Sequence, residues 1–150
     1  MDFAKATVMI LSLATANAMA ATLNLGNEVK HCLSLPAWGA GQNQAQCKEE
    51  AIKRSEKSLS ATIAQLHAVI TRDYNTPYHL NDPDGVKIND IFWEKFAKAQ
   101  KLWLASRDEM CAASAALMGE WATSQDDIHT QCLIDQNKSR ERYVHDTWLQ

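Results

Sequence analysis

Four cysteines, five scattered histidines and one polar stripe on a helix are the side chains here whose types and spacing suggest chemistry. Cys32, Cys47, Cys111 and Cys132 form an even set, which suits two disulfides in any of three connectivities. Zinc is the rival use, because His31 adjoins Cys32 and His129 stands three residues before Cys132. Structural zinc sites carry close Cys pairs of the C-x-x-C kind, and none occurs here, so no metal is assigned. His67, His79 and His145 stand singly. The chain has no Gly-x-Ser-x-Gly elbow, no His-Glu-x-x-His, no phosphate-binding glycine loop and no dinucleotide fingerprint. Asp82-Pro83-Asp84-Gly85 has the flavour of a calcium loop. Leu80 and Ile91 occupy the first and closing ligand positions, however, and the segment reads as a turn. No catalytic residue and no cofactor are assigned, and the expectation is a protein that is not an enzyme.

Whether the thiols pair depends on the compartment. Lys5 precedes a stretch from Ala6 to Ala20 without charge, centred on Val8-Met9-Ile10-Leu11-Ser12-Leu13. Small residues then recur as Ala16-Asn17-Ala18 and Ala18-Met19-Ala20, each a match for signal peptidase. The run is too short to span ~30 Å of hydrocarbon. Residues 1–20 are therefore expected to be a signal peptide, cleaved after Ala20 with Ala18 as the second choice, leaving residues 21–150 as a single domain. Export to the periplasm or beyond the cell would put the cysteines in an oxidising space. The favoured pairs are Cys32 with Cys47 and Cys111 with Cys132, since both are local; the alternative joins one of the first pair to one of the second.

The elements that must position these residues are helical. Ala21 to Gln46, with Pro36, Gly39 and Gly41, reads as an irregular arm. Periodicity starts near Gln44, where Leu59, Ile63, Leu66 and Ile70 mark one stripe, and ends around Arg72-Asp73. A second stripe keeps a 4, 3 alternation through Phe92, Phe96, Ala99, Trp103, Ser106, Met110, Ala113 and Leu117, with Gly119 as its stop. Ser124 and Asp127 resemble a capping box that opens a third helix, whose stripe of Ile128, Cys132, Ser139 and Tyr143 is less apolar. No strand-like alternation appears. The fold class expected is all-α: a small antiparallel bundle of three main helices plus the arm, stapled by disulfides.

On the second helix, Gln100, Trp103, Arg107, Asp108 and Cys111 lie along one side. They spell Ala99-Gln100-x-x-Trp103-Leu104-x-x-Arg107-Asp108-x-x-Cys111, followed later by Cys132-Leu133 and Arg140. This pattern resembles the N-terminal domain family of LprI-type lysozyme inhibitors, small exported bacterial domains, over about Cys32 to Val144. Where that family carries Asp, then Leu-Asn, then Tyr on the first helix, this chain has Glu56, Leu59-Ser60 and Ile63. The motif residues also read as packing. Trp103 fills a core position near Leu59 and Ile63, while Arg107 or Arg140 meets Asp108 or Glu56.

The resemblance implies an exported protein that binds and blocks a lysozyme or another cell-wall hydrolase. The alternative is a periplasmic immunity or interaction module with a different protein target. With 15 Lys plus Arg against 18 Asp plus Glu, the net charge of -3 argues against a nucleic-acid partner. It suits a cationic one by steering. No membrane association is expected after cleavage. Loops carry function on rigid scaffolds, so the candidate contacts are Asp82 and Asp84 in one loop and Glu120, Trp121, Asp126 and Asp127 around another. Thiol titration of the denatured, unreduced mature protein should find no reactive thiol; two per chain would refute the pairing.

Overall fold

The computed structural model describes residues 25–150 apart from Ala40; the expected signal peptide lies outside the described residues. Helices α1 (Asn27–Leu33), α2 (Gln44–Asp73), α3 (Ile88–Ala116) and α4 (Gln125–Trp148) follow one another with no strand among the described residues. The arm is thus not wholly irregular: it holds one short helix, whose Val29 and Cys32 are buried. α2 starts where Asn43 accepts a hydrogen bond from the Gln46 amide (3.1 Å), the side-chain cap that an asparagine supplies. α3 starts where Asp90 accepts from the Lys87 amide (3.2 Å). Gly119 adopts φ +76° just beyond α3, a conformation that favours glycine.

The capping box expected at α4 does not form, since Ser124 makes no side-chain cap bond. Asp127 turns instead to Lys48 of α2, with Nζ to Oδ1 at 2.9 Å, and Asp126 joins the same ammonium. Burial pulls the Lys48 pKa down, but its bonds to the two aspartates outweigh that and hold it raised. An ion pair between helices has displaced the local cap. The two acids still lie in the first turn of α4, where the helix dipole favours negative charge.

Consecutive long helices run antiparallel, so α2 and α4 are parallel, and α4 packs against both α2 and α3. The α2 stripe is as expected: Leu59, Leu66 and Ile70 are buried and Ile63 is partly so. The α3 stripe is displaced. Phe96, Arg107, Cys111 and Ala115 are buried there, whereas Ala99, Ser106 and Ala113 are exposed and Met110 and Leu117 are 57% and 71% exposed. A 4, 3 alternation has period 3.5 and drifts ~20° per heptad around a straight helix. The 11-residue step from Phe96 to Arg107 keeps to one face. On α4, Ile128 is buried and Cys132 partly buried, but Ser139 and Tyr143 face solvent. Thr130, Gln131, Leu133, Ile134, Asn137 and Val144 are buried in their place. Because α4 touches α1, α2 and α3, its buried surface is broader than one stripe.

The interior is layered along the bundle. Leu66, Ile70, Phe96 and Val144 make an apolar layer at one end, with Phe92, Trp93 and Trp148 packed around it. The disulfides Cys32–Cys47 and Cys111–Cys132 lie at the other end and leave no free cysteine.

α1 is held to α4 by polar contacts. Gln131 accepts from the Val29 amide (3.2 Å) and donates to Glu28 (3.1 Å), and Lys138 also bonds Glu28. The Lys138 bond, then the Gln131 bond, hold Glu28 at about 2 against an ordinary 4.5, despite opposing burial. A depressed carboxylate contributes stability above its unfolded pKa and loses it as pH falls through the folded value. Glu28 is partly exposed, which limits the effect to about 1 kcal/mol or less. Between pH 5 and pH 2, stability from chemical denaturation should fall more steeply in the parent than in Lys138→Met. Parallel curves would show that the pair contributes nothing.

Candidate functional site

The residues singled out on α3 face α4 and join it to α2. Asn137 has no exposed surface. Its carbonyl oxygen accepts from Arg107 Nη1 (2.7 Å) and its amide donates to Ser55 Oγ (2.9 Å). The Ser55 hydroxyl in turn donates to the Ile52 carbonyl (2.8 Å). Arg107, only 8% exposed, is also paired with Asp108 (2.7 Å) and lies 3.7 Å from Glu56. This is the interhelical pairing expected of it. The guanidinium is thereby desolvated but surrounded by acceptors, the condition under which a buried charge is tolerated.

Arg140 behaves differently. Its Nε donates to Gln100 (3.1 Å) and its guanidinium lies over the rings of Tyr143, Trp103 and Phe96 at 5.3, 5.5 and 5.8 Å. Burial lowers its pKa, and no salt bridge to an acid forms among the described residues. Aromatic faces stand in for a carboxylate. Trp103 is accordingly half-buried, with the Arg107 and Arg140 guanidiniums 5.7 and 5.5 Å from its ring centre. Where Trp103 was expected beside Leu59 and Ile63, the neighbouring position is taken by the exposed Leu104. It lines, with Leu59, Ile63, Glu56, Ser60, Gln100 and Arg107, a groove of about 290 Å³ between α2 and α3. The cause is the same displaced stripe: residue 103 turns toward α4 and residue 104 toward α2.

The two candidate loops lie at opposite ends. Asp82 and Asp84 are exposed in the turn after α2, which is closed by a bridge between Pro77 and Lys87. At the disulfide end Glu120 is exposed and Trp121 is 87% exposed, so its indole does not pack on the bundle. Asp126 and Asp127 are engaged with Lys48, and Asp127 is buried. Asp127 is therefore not an exposed partner contact, because α2 supplies its cation. Trp38, which sequence reasoning did not single out, is 85% exposed at this end. Its signal was its setting, an indole between Pro36 and Gly39 inside the segment that Cys32 and Cys47 close. Among the described residues no cluster of His, Cys, Asp or Glu is placed to hold a metal ion, and no helix is long and apolar enough to cross a membrane.

The arrangement defines a class: an all-α, doubly disulfide-bonded domain whose motif residues join its helices. The chain belongs to the lysozyme inhibitor LprI family, whose model matches residues 37–143. No curated protein and no solved structure matches it.

Asn137→Ala should deprive both Arg107 and Ser55 of buried partners and cost about 2–4 kcal/mol. Trp121→Ala should change stability by less than about 0.5 kcal/mol. Urea unfolding of both variants beside the parent decides the matter; equal losses would show that the polar chain is not structural.

Proposed function

We propose that this protein is exported and blocks a lysozyme by binding it, with no reaction of its own. The family match over residues 37–143 carries the reading. The leader-like residues 1–20 and the two disulfides support export, since such bonds persist in oxidising compartments. On this reading Gln100, Trp103, Arg107, Asp108 and Arg140 serve the scaffold, and the contact is made by exposed loops. The charge of -3 is of the sign that speeds encounter with a cationic enzyme.

Purified residues 21–150 should slow the clearing of a peptidoglycan suspension by a lysozyme, reaching full inhibition near one inhibitor per enzyme. Added salt should weaken the effect by slowing association. Undiminished clearing with c-type and g-type lysozymes alike would refute the proposal.

A further inference from the structure

We propose that the inhibitory contact is the disulfide-closed end of the bundle, where Trp38 and Trp121 act as paired anchors seated on the lysozyme. This rests on the function proposed above and adds the surface that performs it.

The topology brings both indoles to one end. α2 and α4 begin there and α3 ends there, as the Lys48 bonds to Asp126 and Asp127 and the Cys111–Cys132 bond require. Trp38 lies in the loop that Cys32–Cys47 closes, and Trp121 in the loop that Cys111–Cys132 closes. Their exposures of 85% and 87% leave each ring without a packing role in the fold. The positive-φ glycines among the described residues, Gly39, Gly41 and Gly119, all fall in these same two loops. A loop closed by a covalent bond loses less freedom when it binds, and that saving appears as affinity.

Composition points to a protein as the occupant. Segments 34–46 and 112–124 contain a single ionisable side chain, Glu120, and add the exposed Leu117 to the two indoles. Beyond them lie the exposed Glu49, Glu50 and Asp126, paired with Lys53, Arg54 and Lys48 in a polar, charge-balanced rim. An uncharged aromatic centre inside a polar rim is the anatomy of protein interfaces, and Trp is among the residues that dominate their energetics. The net charge of -3 suits a cationic enzyme and disfavours an anionic lipid surface. The opposite end also exposes Tyr74, Tyr78, Leu80 and Val86, but it differs in charge and in closure. Leu80 is fully exposed there, but Asp82, Asp84 and Lys87 follow it in the same loop and no disulfide closes that loop.

The test compares the parent with Trp38→Ala, Trp121→Ala, the double variant and Leu80→Ala, by lysozyme inhibition and by calorimetric titration with the same enzyme. Thermal melting of each variant should match the parent. Each Trp variant should weaken inhibition about tenfold or more, and the double variant further, while Leu80→Ala inhibits as the parent does. A parent that inhibits while the double variant keeps full potency would overturn the surface and leave the function standing. Greater loss from Leu80→Ala than from either Trp variant would do the same. A parent that inhibits no lysozyme would overturn both.

Discussion

Asn137 allows the three long helices only one way to meet. It is wholly buried on α4, with its carbonyl committed to Arg107 of α3 and its amide to Ser55 of α2. A slip of one residue in either neighbour would strand a buried guanidinium or a buried amide, and leaving such groups unpaired is far worse than making no bond at all. Apolar contacts tolerate small shifts, whereas this hydrogen-bonded chain does not. With that register set, Cys111 comes within bonding distance of Cys132, and Phe96 meets Val144 and Trp148 at the other end.

How much of this could be read beforehand differs helix by helix. α2 was legible in its extent and its second half, because Leu59, Leu66 and Ile70 are apolar and buried and the helix breaks after Asp73, while the buried Ser55 was not. The disulfide pairing was legible from locality. On α3 the helix was legible and its face was not: small residues at 99, 106 and 113 gave a false heptad, while the true face includes Arg107, a residue that hydropathy assigns to solvent. α4 was the least legible for the same reason, since it buries Thr130, Gln131 and Asn137. A sequence shows that such groups are polar but not that a partner on another helix satisfies them.

The candidate site was legible in its parts rather than its placement. Trp121 and Glu120 could be named as loop residues, yet whether an indole packs or projects depends on how the loop leaves its helices. Asp127 looked like a capping residue or a surface acid and is instead buried against Lys48, whose position 79 residues away in sequence no local pattern conveys. Gln100, Trp103 and Arg107 share one side of α3, and Arg140 reaches Gln100 and Trp103 from α4, a meeting that no spacing within one helix conveys. Arg140 settles among aromatic rings rather than on an acid.

Both disulfides join cysteines that are neighbours in order: the first with the second, the third with the fourth. For a chain that emerges N-terminus first into an oxidising space, each native bond is therefore the first one available. Cys32 and Cys47 can be closed before Cys111 has appeared. On the export proposed above, native connectivity then follows from the order of arrival, and pairing calls for a thiol oxidant without an isomerase to reshuffle mispaired bonds. A crossed arrangement would have made the same domain dependent on that second catalyst.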